Sequence, residues 1–365
     1  MTLPTTMAAV LLTGHGGPEK LEYRTDVPVP KPRADEVLIQ VEAAGINNTD
    51  INTRIGWYSK AVSGDTNSTA ASGADTADAD DASWSGVPLS FPRIQGGDVY
   101  GRIVSVGNDV DESRIGDRVL VRTLMRHYVE HRPYECWTYG SDCDGGFAQF
   151  AVAPDSEAYA IDSDVSATEL GAVPIAYSTA EGMLHRVRLG AEKVVITGAS
   201  GGVGLAAVQL AKLRGAEVIA ICSSSKADVV LAAGADQVIE RGADLVAELG
   251  PRSVDVAVDV VGGAGVSELL GLLRRGGRYA IAGAIGGPLS EIDLRTIYLN
   301  DLSLFGCTFQ EDEVFENLVR YVNSGQIRPL VSKTYPLSEI HRAQEDFVSK
   351  SFPGKLVLVP PAVQS

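Results

Sequence analysis

The sequence has little positive charge. It contains 31 Lys and Arg residues against 47 Asp and Glu residues, a formal net charge of −16 at pH 7. A protein that binds nucleic acid or an anionic membrane needs a basic face, so we expect neither partner. The carboxylate excess favours a halophilic protein, because salt screens the mutual repulsion of acidic side chains. Ordinary acidic solubility is the alternative.

Cysteines and long apolar runs are also scarce. Four scattered cysteines among 365 residues fit a reducing compartment. The N-terminal MTLPTTMAAVLLTG lacks the basic start and apolar run of a signal peptide. No apolar run reaches the ~18 residues that a membrane span needs. We therefore expect a cytoplasmic protein, and a chain of this length suits two domains.

The first half of the chain is rich in predicted strands. EVLIQVEAAGI, VYGRIVSVG, IGDRVLVRT and GGFAQFAVAP are short apolar segments separated by turn residues, which is typical of a small barrel-like β domain. Residues 59–90 are mostly Ala, Ser, Thr, Gly and Asp, with little to bury. We expect them to form a disordered acidic insertion, with a functional lid as the alternative.

From about Pro174 the pattern changes to alternating strands and helices. KVVITGAS, AEVIAIC, DQVIE, VDVAVDVVG and RYAIAGAI are predicted strands, and GGVGLAAVQLAKLRG and SSKADVVLAAGA are predicted helices. Apolar strands alternating with helices indicate a doubly wound parallel sheet, so the fold class is α/β. We place the domains at 1–174 and 175–310, with 311–365 returning to the first.

The glycine-rich turn after KVVITG predicts a dinucleotide site. A strand leads into the turn and a helix follows it, and the helix N-terminus offers free N–H groups and a favourable dipole to a pyrophosphate. The predicted contacts are the consecutive residues Ala199, Ser200, Gly201, Gly202, Val203 and Gly204. A purely structural glycine turn is the alternative.

The end of the next strand favours NADPH over NADH. An NAD site normally has Asp or Glu there, on the ribose 2′-hydroxyl. Here VIAIC is followed by Ser223, Ser224 and Lys226, and Arg241 follows the next strand. Hydroxyls and cations can bind a 2′-phosphate that a carboxylate would repel. Lys226 has a plainer alternative as a solvated lysine at a helix start.

The stretch Ala43–Tyr58, AAGINNTDINTRIGWY, is typical of a segment that leads into an active site, but it contains no cysteine and no histidine. Together with IQGGDVYGRIVSVG, GGFAQF, ASGGVGLAAVQLAK and GKLVLV, it resembles the medium-chain dehydrogenase/reductase superfamily. The resemblance covers almost the whole chain except 59–90. It implies a GroES-like β-barrel domain and a Rossmann domain.

Within that superfamily, the resemblance points to the zinc-free quinone oxidoreductase and enoyl reductase branch. Asn47 stands where zinc alcohol dehydrogenases have a Cys, and Gly97 and Asp98 stand where they have His-Glu. We therefore expect no catalytic metal. Tyr58 corresponds to a tyrosine that enoyl thioester reductases use as proton donor, so Tyr58 and Asn47 are the candidate catalytic residues. Packing of the loop is the alternative for both.

The implied function is NADPH-dependent reduction of a quinone, an α,β-unsaturated carbonyl or an enoyl thioester. The alternatives are a zinc-type alcohol or polyol dehydrogenase with atypical ligands and a non-catalytic NADPH-binding protein. Lys355 in GKLVLV is a candidate for the cofactor phosphate, with an exposed strand lysine as the alternative. Asp50 suits a structural role with a backbone N–H or with Arg54. We also expect a homodimer. A structural zinc is an open alternative, and its possible ligands are His127, His131, Cys136 and Cys143.

Overall fold

The computed structural model describes residues 3–126 and 134–363. Within them the chain forms two compact units, divided at 175/176 and at 318/319. The first unit contains the N-terminal part and the C-terminal segment from Val319, and the second contains Ala176–Leu318 together with Ser63–Thr66. The sequence placed these boundaries at 174/175 and 310/311.

The N-terminal part of the first unit is built mainly of short strands. These are β1 (Thr6–Leu12), β2 (Leu21–Pro28), β3 (Glu36–Gly45), β4 (Arg93–Ile94), β5 (Tyr100–Val106), β6 (Arg118–Val121), β7 (Leu124–Met125), β8 (Trp137–Thr138), β9 (Phe150–Pro154) and β10 (Ala158–Ala160). Its helices are α1 (Asn48–Ile55), α2 (Thr66–Thr69) and α3 (Ala167–Leu170).

The second unit alternates helices with strands. Its helices are α4 (Pro174–Arg186), α5 (Gly202–Leu213), α6 (Ala227–Ala232), α7 (Leu245–Leu249), α8 (Val266–Leu272), α9 (Leu294–Tyr298) and α10 (Asp312–Asn323). The helix α4 begins just before the first boundary, and α10 ends after the second. The strands are β11 (Lys193–Ile196), β12 (Glu217–Cys222), β13 (Gln237–Glu240), β14 (Val254–Asp259), β15 (Leu273–Ile281) and β16 (Ser303–Gly306). The C-terminal segment adds β17 (Val331–Pro336), α11 (Ile340–Val348) and β18 (Lys355–Val359) to the first unit.

The strand β3 organises the first unit. It pairs with β5, β9 and β18 in a seven-stranded sheet, and β2, β1 and β4 form a separate three-stranded sheet. Nearly every residue of β3 is buried, because its two faces pack against apolar side chains of both sheets. The C-terminal strand β18 therefore joins the sheet beside the start of α1, which brings Lys355 to Ala43–Tyr58.

The second unit contains the predicted doubly wound sheet. Its six parallel strands follow the order β13-β12-β11-β14-β15-β16. The order reverses between β11 and β14, which is where Rossmann sheets bind their ligand, at the carboxyl ends of the strands. Among the described residues, none of the helices combines the length and the apolar character that crossing a bilayer requires.

Candidate active site

Residues 45–50 form a tight turn from β3 into α1. Gly45 must be a glycine, because a Cβ there would lie 2.4 Å from Asp98 Oδ2 and 2.8 Å from the Gly171 carbonyl oxygen. Asn47 precedes the helix in an extended conformation, and its backbone N–H donates to Asp50 Oδ2 at 2.8 Å. The turn therefore holds the start of α1 directly against the carboxylate of Asp98.

Lys355 lies at the centre of a buried polar cluster. Its ammonium nitrogen donates to Asp98 Oδ2 at 2.9 Å, to Asn47 Oδ1 at 2.5 Å and to the Ile46 carbonyl at 2.9 Å. All three side chains are buried. This placement corrects the expectation that Lys355 reaches a cofactor phosphate, since three acceptors use the three ammonium hydrogens.

The amide of Asn47 is bonded on both sides. Its Nδ2 donates to Asp98 Oδ2 at 2.8 Å and to the Gly45 carbonyl at 3.3 Å, and its Oδ1 accepts from Lys355. The other oxygen of Asp98, Oδ1, accepts the Ile175 N–H at 2.6 Å. These bonds hold Asn47 within the protein; a catalytic role for Asn47 stays a prediction.

Asp50 lies in the same buried region. Burial is the main reason that its pKa is raised to about 7, and the negative charge of Asp98 acts in the same direction. The backbone N–H groups of Asn47 and Gly96 and the charge of Lys355 oppose this rise. Asp50 thus caps the turn through a backbone N–H, one of the two structural roles expected for it.

Arg54 does not pair with Asp50. Its guanidinium donates to Gln344 Oε1 at 2.9 Å, to the Gly16 carbonyl at 2.8 Å and to the Ala70 carbonyl at 2.9 Å. Because Arg54 is almost fully buried, its pKa is lowered to about 10. Arg54 therefore connects the C-terminal end of α1 to three separate segments of the first unit.

Tyr58 follows the end of α1 at Gly56. Burial raises the pKa of Tyr58 far above its ordinary value, the charge of Asp50 adds to the rise, and a hydrogen bond with Asn52 opposes it. Its ring packs against Trp84, with 5.2 Å between centroids, and against Trp57 at 5.8 Å. The structure thus presents Tyr58 as a protonated phenol held by α1 and two indoles.

The 59–90 insertion differs from the expected disordered loop, because backbone hydrogen bonds and small buried side chains hold it. Ala74 N–H donates to the Ile55 carbonyl at 3.0 Å, and Asp78 N–H donates to Ser59 Oγ at 2.9 Å. Ala82, just before Trp84, is fully buried. The composition gave no sign of these contacts, since most of them use main-chain groups.

In the second unit, the glycine turn has the geometry that a pyrophosphate site requires. Gly198 has φ +57°, and a Cβ on Gly204 would lie 2.2 Å from the Gly198 carbonyl oxygen. Gly201 lies just before α5, so the free N–H groups of the helix start follow it directly. Ala199, Ser200, Gly202 and Val203 belong to the same turn and helix start.

Two cations lie close to each other at the carboxyl ends of β12 and β13. Burial lowers the pKa of Lys226, and the positive charge of Arg241 lowers it further. Arg241 N–H donates to the Cys222 carbonyl at 2.8 Å, which brings the ends of β12 and β13 together. Ser223 and Ser224 directly follow β12, and Ser224 N–H donates to Glu240 Oε2 at 2.6 Å. The segment VIAIC alone does not indicate this carboxylate, which precedes Arg241 directly in the sequence.

Asp259 is a further residue of this region that the motifs did not indicate. At the end of β14, its Oδ1 accepts from Thr197 Oγ1 at 2.5 Å and from the Val261 N–H at 2.8 Å, and its Oδ2 accepts from Tyr279 Oη at 2.6 Å. The bond to Thr197 ties β14 to the residue just before Gly198. A single Asp at the end of VDVAVD was the only available signal, and it is a weak one.

Two family models match the chain. Residues 33–163 match the alcohol dehydrogenase GroES-like domain, and residues 202–324 match the zinc-binding dehydrogenase model. Quinone oxidoreductase from Rattus norvegicus is 30% identical, over 97% of this chain and 98% of its own. The chain belongs to the medium-chain dehydrogenase/reductase family. It is therefore an oxidoreductase of a family that binds a nicotinamide dinucleotide. Its GroES-like domain and Rossmann-type domain confirm the predicted fold.

Other members of the family are similar over nearly the full length. Acryloyl-coenzyme A reductase from Sulfurisphaera tokodaii is 27% identical, over 97% of this chain and 100% of its own. The crystal structure of a putative alcohol dehydrogenase from Sinorhizobium meliloti 1021 is 46% identical, with a TM-score of 0.87 and 98% of both chains covered. The family thus spans relatives named for quinones, for an enoyl thioester and for alcohols.

A catalytic zinc does not fit the residues at the family's metal position. Zinc takes about three protein N, S or O ligands, and here Asn47 and Asp98 are both bonded to the Lys355 ammonium, whose charge repels a cation. Within 3–126 and 134–363 no group of three His, Cys, Asp or Glu side chains is arranged to hold a metal.

The proposed structural zinc lobe is only partly described. His127 and His131 lie outside the described residues. Burial raises the pKa of Cys136 to about 11 and that of Cys143 to about 12. The lobe stays an untested alternative.

Proposed function

We propose that this protein is an NADPH-dependent, zinc-independent reductase of quinones or of conjugated carbonyl compounds, including enoyl thioesters. The observation that carries the proposal is the protonated phenol of Tyr58 beyond the end of α1, a helix that begins at a metal position that Lys355 fills. A member of this family with a proton donor and without a fitting metal site suits reduction of a conjugated double bond better than oxidation of a zinc-bound alcohol.

The glycine turn and Lys226 would hold NADPH, which would supply a hydride for the β-carbon of the conjugated carbonyl. The electron pair then moves onto the carbonyl oxygen, and an enolate forms that must take a proton at the α-carbon. The Tyr58 hydroxyl donates that proton, and the resulting phenolate regains one from solvent. Asn52 stabilises the phenolate by its hydrogen bond, and a positioned acid of this kind accelerates a step about 10²–10⁴-fold.

The preference for NADPH is supported by the charges at the end of β12. Arg241 is close enough to Lys226 that its positive charge helps to lower the pKa of Lys226, and an anion bound between the two side chains would offset that repulsion. A 2′-phosphate carries such a charge, whereas the ribose hydroxyl of NADH does not. Glu240 is engaged by the Ser224 N–H, and it is the group that would most oppose this preference.

The function is tested by following NADPH oxidation with a panel of quinones, enones and enoyl-CoA thioesters. We expect turnover with at least one member of the panel and no turnover of NADP⁺ with simple alcohols. Binding of NADPH without turnover of any acceptor would favour a non-catalytic family member. Turnover of an alcohol that requires added zinc would favour the alcohol dehydrogenase alternative.

A further inference from the structure

One ammonium group satisfies the polar side chains at both positions where zinc-dependent relatives have ligands. Lys355 Nζ contacts Asp98 and Asn47, and it also binds the Ile46 carbonyl, within a site that excludes solvent. Burying a charge of either sign alone is costly, so Lys355 and Asp98 are each stable here only because the other is present. The 2.9 Å separation of Lys355 Nζ and Asp98 Oδ2 is that of a close ion pair.

This ion pair is connected to Tyr58 through α1. Asn47, which Lys355 and Asp98 hold on opposite sides of its amide, immediately precedes the first residue of the helix. One and a half turns further on, Asn52 hydrogen-bonds Tyr58. The start of the helix is thus fixed by a side chain that lies more than 300 residues away in the sequence, on the closing strand β18.

We propose that Lys355 is a positioning residue that provides, from the protein itself, the positive charge at the family's metal position and thereby fixes α1 and Tyr58. Its role in holding α1 does not depend on the reaction. Its effect on turnover rests on the proposed function, in which Tyr58 donates a proton.

The test compares two neutralised ion pairs. In Lys355→Met/Asp98→Asn the side chains keep their approximate shapes and lose both charges, which avoids the strong destabilisation that follows when one buried charge is left alone. The matched control is Lys333→Met/Asp346→Asn, which removes a partly exposed Lys–Asp pair at 2.7 Å between the neighbouring strand β17 and the helix α11. Amide hydrogen exchange of residues 45–58 is measured in each protein, together with kcat and the KM for NADPH.

We expect exchange in residues 45–58 to become about tenfold faster in the Lys355/Asp98 variant, because local opening is easier once the start of α1 is released. We expect kcat with the best enone to fall about 10–100-fold, within the contribution of one general acid, while the KM for NADPH changes less than about twofold. The control variant should match the wild type in all three quantities.

Exchange and kcat equal to the wild type in the Lys355/Asp98 variant would overturn the inference. If the wild-type protein reduces no member of the panel, the proposed function fails, and the exchange of residues 45–58 still decides the role of Lys355. Metal analysis covers the case of a variant that does not fold. One zinc per wild-type chain whose removal by a chelator speeds exchange in residues 45–58 would show that a metal holds this position and would overturn the inference, whereas exchange that the chelator leaves unchanged supports it.

Discussion

Burial keeps the Tyr58 hydroxyl protonated far above neutral pH. A phenol in that state can donate its proton to the enolate, and it cannot act as a base until it has lost that proton. The Tyr58→Phe variant keeps the ring that packs against Trp84 and Trp57 and loses the hydroxyl. We expect kcat with an enone to fall about 10–10³-fold. Stopped-flow or steady-state NADPH oxidation measures this change.

Two controls show whether the loss comes from proton transfer. NADPH affinity should be unchanged, because Tyr58 belongs to the first unit and the glycine turn to the second. A quinone should lose less activity, since its reduced oxygens can take protons from water. Wild-type kcat for Tyr58→Phe on the best enone would mean that the proton comes from another donor and that Tyr58 only packs the loop.

Asp50 makes stability depend on pH in a direction opposite to that of most carboxylates. Its pKa is about 7 in the folded protein and about 4 when unfolded, so the folded state binds the extra proton between these values. Its stabilising contribution is therefore complete below about pH 4 and is lost as the pH rises through 7. We expect the free energy of unfolding of Asp50→Asn to rise relative to that of the wild type as the pH increases from 5 to 8. Urea unfolding measures both free energies.

The comparison of the two proteins removes the effect of the other titrating groups. Asn at position 50 can still accept the Asn47 N–H through its amide oxygen, so the turn into α1 is kept. A difference in unfolding free energy that is the same at pH 5 and pH 8 would show that Asp50 does not titrate in this range.

The ends of β12 and β13 determine the choice of cofactor in this account. We expect the wild type to have a lower Kd for NADPH than for NADH. The Lys226→Ala variant should narrow the difference in binding free energy between the two cofactors by about 1–2 kcal/mol, because a charge-assisted contact is lost. Fluorescence titration measures both constants. Lys212→Ala is the control, because Lys212 lies in the last turn of α5, at the far end from the glycine turn, and pairs with Asp236.

Equal wild-type Kd values for the two cofactors would refute the preference for NADPH. An effect of Lys226→Ala that is matched by Lys212→Ala would show a general loss of positive charge and no specific phosphate contact.

Elements with a strong local pattern were predictable from the sequence, and contacts between distant segments were not. KVVITGAS and GGVGLAAVQLAK contain a buried strand, a glycine turn and a helix start in one continuous stretch, and β11 and α5 lie there. Lys355, in contrast, looked like a strand lysine with a choice of roles. Its partners Asn47 and Asp98 come from two other segments, and only the pairing of β18 with β3 brings them together.

The insertion 59–90 is a second region whose contacts could not be predicted from the sequence. Residues 59–90 have little apolar surface, which predicts disorder, and the sequence does not reveal that Arg54 binds the Ala70 carbonyl or that Trp84 packs on Tyr58. The family resemblance indicates Tyr58, and nothing in the sequence around it predicts a half-buried phenol that packs between two indoles.

For the whole molecule, the net charge of −16 is the property with the clearest physical consequence. We expect the melting temperature to rise as KCl increases from about 0.1 M, where the Debye length is about 10 Å, to molar levels, where it is about 3 Å. Differential scanning calorimetry at fixed pH measures this shift. A melting temperature that stays flat or falls would mean that the acidity serves ordinary solubility. The homodimer and the cytoplasmic location stay predictions.

The central claim is that this family member reduces a conjugated carbonyl compound or a quinone without a catalytic metal. The most direct measurement is NADPH oxidation with the best acceptor, before and after dialysis against a strong chelator, with zinc determined in the same samples. We predict equal kcat before and after dialysis. Stoichiometric zinc whose removal abolishes turnover, and whose return restores it, would contradict the account.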